Sequence, residues 1–488
     1  MLLPLLAALA VRAGDDEAAE PVVDTVTVFH PHSGGGPAMG HRIPGLVYDR
    51  AHGVLLAFAE GRVTCNDYPA PHHLVMARST DQGRSWSESS VIFNATRDFA
   101  GGAAWDPTPV FDERSGAVHV LFSLSRAGAD DDGLGPTPPH PTTAELRALY
   151  TTDGGLSWRQ TNASGCMRIP GSTFSGGHGI QLSGGDRRLV VGMYNYAVSP
   201  SAWVCYSVDG ETWTSAGTRP LKGRISEGEV VEIVRAGETQ PQLLMHLRRD
   251  DSMGTECGDG VWHCAFLAMS TDLGLSWQPG RAQPQLMEPP AKGGVCRLSS
   301  GHLVESSADS LPLPPGNEPE ANQTLHLSFN GGLSWPRKLR VDRVSGYSTV
   351  VAFPSSNQST AGQEVIGTLY EAGLQPPYTD LTSCSIRFAR VDPASIPAAP
   401  PLPPPPSPSP PPAPSGQAGE KCQARLDAFC NDLKVNNDCC DSVQNASSCV
   451  IRGRVATPFY ARYDRNSAPA LRWRCYSHLA LTAWHCEF

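Results

Sequence analysis

A short turn motif with the pattern S/T-x-D/N-x-G-x-S/T-W recurs five times within the first 340 residues of the chain. In such a turn, Asp or Asn is expected to bond its own backbone two residues on, Gly adopts a positive φ, and Trp packs beneath the turn. Successive copies start 56 to 72 residues apart, which is typical of one four-stranded propeller blade with its loops. The sequence therefore predicts an all-β ring of blades. The copies are residues 79–86, 151–158, 207–213, which is shortened, 270–277, and 328–335, which has Asn for Asp.

Composition along the chain predicts two further parts after the propeller. Alternating apolar residues with Gly, Asp and Pro between them continue over residues 22–392, and this region is predicted to be the propeller. Residues 393–417 are rich in Pro, Ala and Ser and predict an extended polyproline linker. Residues 418–488 predict a small Cys-rich domain.

The C-terminal segment holds seven of the 14 cysteines. So short a segment buries little apolar surface, which favours disulfides. Zinc is the alternative, but the CxxC pairs typical of zinc sites are absent. Because seven is odd, one thiol is free, pairs between chains or reaches back to the propeller. The seven are Cys422, Cys430, Cys439, Cys440, Cys449, Cys475 and Cys486.

The chain start predicts entry into the secretory route. Residues 2–11 are apolar and residues 11–13 have a small-x-small cleavage pattern, so residues 1–13 are predicted to be a signal peptide, although a basic n-region is missing. No later segment reaches the length of a transmembrane span. A secreted or lysosome-like location is expected. Five N-x-S/T sequons agree with it, at Asn94, Asn162, Asn322, Asn357 and Asn445.

Charge and motif content argue against several classes of protein. The formal net charge is −10 and there is no basic cluster, so nucleic acid is not expected as a partner. The glycine pairs belong to turns, and no nucleotide-binding glycine loop is present. The 15 histidines are scattered along the chain, and the adjacent pair His72 and His73 has no further histidine close by in sequence. No cofactor and no metal are predicted.

One motif near the start narrows the interpretation to a family. Residues 41–45 read HRIPG, and an R-I-P motif followed by several of the Trp-containing turns resembles the exo-α-sialidases. The resemblance covers roughly residues 28–392. It implies a six-bladed β-propeller whose active site lies at the centre of one face, where the first strands of the blades converge. It also implies sialylated glycans as the partners.

Arginines are expected to hold the substrate, because a sialic acid carries a carboxylate on its anomeric carbon and a guanidinium binds carboxylate in a bidentate fork. By resemblance, Arg42 of the R-I-P motif is the first such residue and Arg248 the second. A third is expected in the strand before the last turn motif, but no arginine lies between Arg297 and Arg337. Arg337 and Arg340 are the nearest substitutes. An acid such as Glu320 facing the pocket would instead disfavour sialic acid.

The resemblance also assigns the nucleophile and its base. Sialidases use tyrosine as nucleophile where most glycosidases use a carboxylate, and Tyr347 stands in the family's G-Y-S motif. Phenols have pKa values near 10 and need a base. The pattern E-x-x-V-V-E places Glu227 at the family's base. Without the family, Glu229 is equally plausible, because both side chains point to one face of a regular strand.

The remaining candidates surround these groups. Asp67, in the loop after the first motif, matches the family's acid. Glu371, in an L-Y-E motif, resembles the glutamate that holds the first arginine. Glu60, Arg62 and Asp106 are expected to line the same pocket.

The sequence thus predicts a secreted, retaining exo-α-sialidase that needs no cofactor. One alternative is a carbohydrate-binding or cell-surface protein on a sialidase scaffold that has lost turnover, and the missing arginine favours it. The other is a propeller glycoside hydrolase with a different substrate. Candidate partners of the C-terminal domain are glycan, cell wall or another protein.

Overall fold

The protein is described by a computed structural model that divides the chain into two compact units, Met1–Pro401 and Leu402–Phe488. The predicted signal peptide, most of the linker, most of the Cys-rich domain, Asn357 and Asn445 lie outside the described residues. Those residues are 23–31, 40–67, 71–126, 145–195, 200–217, 221–223, 225–235, 240–249, 256–257, 263–310, 320–356, 363–372, 384–397, 476–477 and 484–485.

The described part of the first unit is almost entirely β-structure. One short helix, α1 (Ala95–Asp98), and two 3₁₀ turns, Ser164–Cys166 and Pro393–Ser395, are its helical elements. The first half contains the strands β1 (Thr25–Phe29), β2 (Gly40–Asp49), β3 (Val54–Arg62), β4 (His72–Ser79), β5 (Ser90–Phe93), β6 (Ala103–Asp112), β7 (Ala117–Ser125), β8 (Glu145–Thr151), β9 (Arg159–Asn162), β10 (Thr173–Phe174), β11 (Ile180–Gln181), β12 (Leu189–Asn195), β13 (Ser201–Ser207), β14 (Thr214–Ser215) and β15 (Leu221–Lys222).

The second half continues in the same way, and one hairpin belongs to the second unit. Its strands are β16 (Ile225–Ile233), β17 (Gln242–Arg249), β18 (Ala265–Ser270), β19 (Arg281–Gln283), β20 (Gly294–Arg297), β21 (Leu303–Ala308), β22 (Gln323–Ser328), β23 (Arg337–Arg340), β24 (Ser348–Pro354), β25 (Glu364–Ala372) and β26 (Ser385–Val391). The hairpin of the second unit is β27 (Tyr476–Ser477) with β28 (Trp484–His485).

The strands form antiparallel sheets in chain order, as in a propeller. Three sheets have four strands: β16-β17-β18-β19, β20-β21-β22-β23, and β1-β26-β25-β24. A six-stranded sheet contains β10 to β15, and an eight-stranded sheet contains β2 to β9. The all-β propeller prediction is confirmed. The sheets do not separate into six four-stranded blades, because a single parallel pair, His72 with Ala103, joins β4 to β6 within the eight-stranded sheet.

The last sheet draws on both ends of the propeller. Strand β1 pairs with β26, with Thr25 opposite Ala389 and Phe29 opposite Ile386. A strand from the chain start thus completes a sheet whose other strands come from residues 348–391. Such pairing leaves no open edge between the first and last parts of the ring.

The strands are buried on both faces because neighbouring sheets pack against each other. Every residue of β3, β7 and β16 is buried, although β16 carries three glutamates. Charged residues on a strand so deeply buried need partners within the protein. The interior of the ring is therefore where functional side chains are to be sought.

The turn motifs agree with the prediction except in one bond. Gly83 has φ 86°, as expected. Asp81, however, accepts the backbone N–H of Ser85, four residues on, at 2.9 Å, so the predicted spacing of two was wrong for this copy. The predicted spacing of two residues occurs in the shortened copy, where the N–H of Glu211 donates to the Asp209 side chain at 2.9 Å.

The tryptophan of the turn motif packs against an aromatic ring on a distant strand. Trp86 meets the ring of Phe388 edge-on, with 5.2 Å between ring centroids, and Trp158 meets Phe58 in the same way at 5.8 Å. Phe388 stands on another sheet, on β26, whereas Phe58 stands on β3 in the other half of the eight-stranded sheet. In both copies the motif therefore fastens two separate groups of strands together.

The packed chain extends slightly past the predicted boundary at residue 392. Ile396, which was assigned to the linker, is buried in the same apolar cluster as Val391, whereas Ala394 and Ser395 between them are exposed. Within the described residues, no helix has the length and apolar character needed to cross a membrane.

Candidate active site

Three strands carry a bulge where a candidate site residue stands. The pairing register shifts between Arg42 and Gly45 in β2, between Trp105 and Thr108 in β6, and between Ile225 and Gly228 in β16. Bulges bend a strand and re-aim its side chains, and they are common next to active sites. Arg42, Asp106 and Glu227 are thus found at these irregularities.

Two of the bulges contain a residue with an unusual backbone. Ile43 has φ 58° and Asp106 has φ 56°, and each precedes a proline. Positive φ is costly for residues other than glycine and is concentrated at functional sites. Close packing accompanies it, since a Cβ on Gly45 would lie 2.7 Å from the carbonyl oxygen of Pro107.

Arg42 is held rigidly by Glu371. Its Nε donates to Glu371 Oε1 at 3.1 Å and its Nη2 to Oε2 at 3.2 Å. The backbone N–H groups of Ile43 and Tyr347 donate to the same carboxylate, at 2.8 and 3.2 Å. Burial lowers the pKa of Arg42, but Glu371 and Asp67 raise it well above its ordinary value. The structure thus places Glu371 directly behind Arg42.

Tyr347 and Glu227 form a hydrogen-bonded pair. The Tyr347 hydroxyl donates to Glu227 Oε1 at 2.8 Å. Arg248 Nη1 contacts the same hydroxyl and lies 3.2 Å from Glu227 Oε2. Burial raises the pKa of Tyr347 well above its ordinary value, and Glu227 adds to this while Arg248 and Arg42 oppose it. The phenol is therefore neutral and needs a base in order to react.

Glu229 has a different environment from Glu227. Its Oε1 is 2.7 Å from His178 Nδ1 and 2.6 Å from Thr349 Oγ1, and its Oε2 accepts the N–H of Val295 at 3.1 Å. The buried Lys292 lies 3.5 Å away. Burial raises the pKa of Glu229, but Lys292 and His178 outweigh it and lower the pKa. This carboxylate ties β16 to its neighbours and does not contact Tyr347 in the described bonds.

Asp67 lies at the mouth of the site beside two arginines. Arg62 Nη1 donates to Asp67 Oδ1 at 2.7 Å, and Arg42 Nη1 is 3.6 Å from the same oxygen. Arg62 also donates to the buried Glu60 at 2.8 Å. Asp67 is 46% exposed, in contrast to Arg62 and Glu60. Of Asp67, Arg62 and Glu60, Asp67 is therefore the one that a bound molecule can reach.

A disulfide lies two residues from Asp67. Cys65 is bonded to Cys384, with 5.8 Å between the Cα atoms. The carbonyl of Cys384 accepts the N–H of His41, next to Arg42, at 3.1 Å. The disulfide thus ties the Asp67 loop to the strand that carries Arg42.

Asp106 lies deeper than the other acids of the site. Its backbone N–H donates to Glu60 at 2.8 Å, and Thr173 and Tyr194 donate to its carboxyl group at 3.3 and 3.4 Å. Burial raises the pKa of Asp106 well above its ordinary value, and Glu60 and Glu227 add to this. Asp106 therefore takes up a proton more readily than an exposed carboxyl group does.

The expected third arginine is not replaced by either substitute. Arg337 and Arg340 both lie on β23, the strand of their sheet farthest from β20, and Arg337 stacks on Phe329. Glu320 instead interacts electrostatically with Arg42 and Arg248. An acid therefore faces the two guanidinium groups in the described structure, which is the outcome that disfavours a carboxylate ligand.

The charge of Glu320 depends on pH near neutrality. Burial raises the pKa of Glu320 to about 7, and the negative charge of Glu371 adds to this while Arg42 and Arg248 oppose it. Below pH 7 the group is therefore largely neutral. The sequence identified Glu320 only as a possible obstacle, because its distance from the arginines depends on how two separate sheets pack.

Several sialidases are similar to this chain. The sialidase of Micromonospora viridifaciens is 28% identical over 347 residues, which are 68% of this chain and 50% of the relative. Human sialidase-3 is 31% identical over 343 residues, or 62% of this chain and 74% of the relative. The chain thus spans half the length of the Micromonospora relative. No family model matches the chain.

Solved structures show the same fold. A Hadza microbial sialidase has a TM-score of 0.60 at 22% identity and covers 76% of this chain and 69% of its own. The intramolecular trans-sialidase of Ruminococcus gnavus has a TM-score of 0.55 at 16% identity, and the match covers 78% of this chain and 99% of the trans-sialidase. At these identities the likeness establishes the fold alone.

Fold and site together define an all-β propeller with a tyrosine and a carboxylate between two arginines. The similarity to human sialidase-3, 31% identity over 74% of the length of that protein, shows to which family the chain belongs. This chain belongs to the sialidase family of glycoside hydrolases.

Proposed function

We propose that the protein is a secreted, retaining exo-α-sialidase that releases terminal α-linked sialic or related nonulosonic acids from glycoconjugates. The observation that carries this proposal is the hydrogen bond of 2.8 Å from the Tyr347 hydroxyl to Glu227. The guanidinium carbons of Arg42 and Arg248 lie 5.4 and 5.7 Å from the centroid of the Tyr347 ring. A neutral nucleophile suits a substrate whose anomeric carbon bears a carboxylate, because an anionic nucleophile would be repelled.

In the first step, the Tyr347 oxygen forms a bond to the anomeric carbon and its proton passes to Glu227. The bond to the leaving glycan breaks, and Asp67 supplies a proton to the departing oxygen. Arg42 and Arg248 hold the substrate carboxylate during this step, each through charge-assisted hydrogen bonds. Glu60 and Arg62 position Asp67, and Glu371 positions Arg42.

In the second step, Asp67 removes a proton from water, which attacks the anomeric carbon. The bond to Tyr347 breaks, and Glu227 returns the proton to the phenol. Two displacements at one carbon retain its configuration. Asp106 forms a hydrogen bond with a substituent of the sugar ring.

The six-blade arrangement and the secretory location are part of the proposal. Counting the two halves of the eight-stranded sheet separately gives six groups of strands, and the halves share only one residue pair. The disulfides Cys65–Cys384, Cys166–Cys205 and Cys257–Cys264 support an oxidising compartment. The signal peptide at residues 1–13 and the Cys-rich domain at 418–488 remain predictions.

A fluorogenic N-acetylneuraminyl substrate tests this function. We expect release of the fluorophore, and proton NMR of the first product should show the α-anomer before it equilibrates. First appearance of the β-anomer would exclude retention. Absence of any release at pH 4 to 8 would favour the second candidate function.

That second candidate is a glycan-binding protein that has lost turnover. The position of Glu320 favours it, because an ionised carboxylate beside Arg42 and Arg248 competes with the substrate carboxylate. The two candidates differ in a measurable way: both bind sialosides at acidic pH, but only the enzyme releases the sugar.

Replacing Glu320 by Gln is expected to flatten the pH dependence of substrate binding. In the parent, KM for a sialoside should rise as pH passes through about 7, because Glu320 ionises and repels the carboxylate of the substrate. A like charge in such a site costs about 1–3 kcal/mol, so the rise should be roughly 5- to 150-fold. Glu320→Gln should keep the low KM up to pH 8. Initial rates from pH 5 to 8 give both profiles.

The matched control is Glu113→Gln, which removes a surface carboxylate paired with Arg50 and Arg187. It should keep the KM profile of the parent. Thermal unfolding adds an independent measure: because folding raises the pKa of Glu320 from 4.5, its contribution to stability is complete at low pH and is lost as pH rises through about 7. Identical KM profiles for Glu320→Gln and the parent would show that Glu320 does not affect substrate binding in the pocket.

A further inference from the structure

A buried group of one histidine and two glutamates lies outside the proposed reaction site. It consists of His246 on β17, Glu288 in the connection from β19 to β20, and Glu305 on β21. One ligand atom from each lies within 4.8 Å of the others, and all three side chains are buried. The group thus spans two adjacent sheets.

The distances within this group fit a small metal ion. His246 Nε2 lies 3.3 Å from Glu288 Oε2 and 3.5 Å from Glu305 Oε1. Tetrahedral zinc with bonds of about 2.0–2.1 Å places its ligand atoms roughly 3.3–3.4 Å apart. The two distances from the imidazole nitrogen are therefore those expected between ligands of one ion, and the two carboxylate oxygens lie within 4.8 Å of each other.

Within the described parts of the chain, three polar atoms of this group have no hydrogen-bond partner. They are His246 Nε2, Glu288 Oε1 and Glu305 Oε1, on side chains that are at most 4% exposed. Buried polar atoms are rarely left unsatisfied, since this costs about 1–3 kcal/mol each. A proton on His246 can bond to one carboxylate at a time, whereas a divalent cation can bind the imidazole and both carboxylates together.

A neighbouring histidine supports one of the glutamates. His326 Nδ1 lies 2.8 Å from Glu305 Oε2, and the two residues pair across β21 and β22. Hydrogen bonds of this kind orient the ligands of a metal and are typical of built sites. The backbone also leaves no spare room, because a Cβ on Gly293 would lie 2.5 Å from Glu288 Oε1.

We propose that His246, Glu288 and Glu305 bind one structural zinc ion. Imidazole and carboxylate together suit Zn²⁺, whereas Ca²⁺ and Mg²⁺ prefer six or more oxygen ligands. The ion cross-links the sheet of β17 to the sheet of β21. Because Arg248 follows His246 by two residues on β17, the zinc also steadies the strand that carries this arginine.

Metal analysis of the full-length chain tests the proposal. The parent and Glu288→Gln are purified from zinc-supplemented cultures, and zinc is measured by mass spectrometry. We expect about one zinc fewer per chain in Glu288→Gln than in the parent. The cysteines of the C-terminal segment are the same in both proteins, so their zinc cancels in the difference. The control Glu364→Gln, which loses a carboxylate that binds Ser299, should keep the zinc content of the parent.

A second measurement on the parent does not depend on the folding of a variant. Chelation should lower its thermal midpoint by several degrees, and ZnCl₂ should restore it while MgCl₂ does not. X-ray absorption at the zinc edge should show a shell of nitrogen and oxygen neighbours. Equal zinc content in parent and Glu288→Gln, or a shell of sulfur alone, would overturn the site.

Discussion

The Tyr347→Phe variant is expected to fold like the parent and to lose turnover by several orders of magnitude. The change removes only the hydroxyl that donates to Glu227, while the ring keeps its contacts with Ile43 and Ala291. Glu227 retains its hydrogen bond from Ser226 and its ion pair with Arg248. Steady-state kinetics on the fluorogenic sialoside, with thermal unfolding alongside, checks this expectation.

Tyr370→Phe is the matched control for the nucleophile. Tyr370 is also buried, and its hydroxyl donates at 2.8 Å to Asp342, which is paired with Arg387 and not with Glu227. Its loss should cost about 1.5–3 kcal/mol of stability, as for hydrogen bonds to charged groups, with kcat close to that of the parent. Should Tyr347→Phe retain a kcat similar to the control, Tyr347 would have no part in the chemistry.

Arg42→Ala is expected to abolish measurable turnover and to weaken binding of a carboxylate-bearing sialic acid analogue. Loss of a bidentate charge-assisted pair costs about 3–5 kcal/mol, which corresponds to a loss of affinity of roughly 10²- to 10³-fold or more. Glu371 keeps the N–H bonds from Ile43 and Tyr347, so the fold around it should survive. Isothermal titration calorimetry at pH 5.5, where Glu320 is largely neutral, measures the affinity directly.

Two further variants define the origin of the effect. Arg42→Lys keeps the charge but not the fork, and it should bind with intermediate affinity. Arg97→Ala removes an exposed arginine paired with Asp98 and should bind like the parent. Unchanged affinity in Arg42→Ala would mean that the carboxylate-binding site lies elsewhere on the propeller.

Much of the candidate site could be predicted from sequence because short motifs carry it. Arg42, Tyr347 and Glu371 each stand in a local motif, and the structure brings all three together. The roles of these residues remain proposals. The choice between Glu227 and Glu229 was not accessible from the pattern, because regular alternation puts both on one strand face. The bulge between Ile225 and Gly228 breaks that alternation, and it separates Glu227, which meets Tyr347, from Glu229, which meets Lys292 and His178.

By itself, the sequence determined the features that depend on neighbours along the chain. The turn motifs predicted the β-propeller and the positive φ of Gly83, because Gly and Asp act within a few residues of their own position. Only the tertiary structure decided the features made by separate strands. Examples are the approach of Glu320 to Arg42 and the group of His246, Glu288 and Glu305. The members of such groups are far apart in the chain, and packing of one sheet against the next sets their distances and their charge.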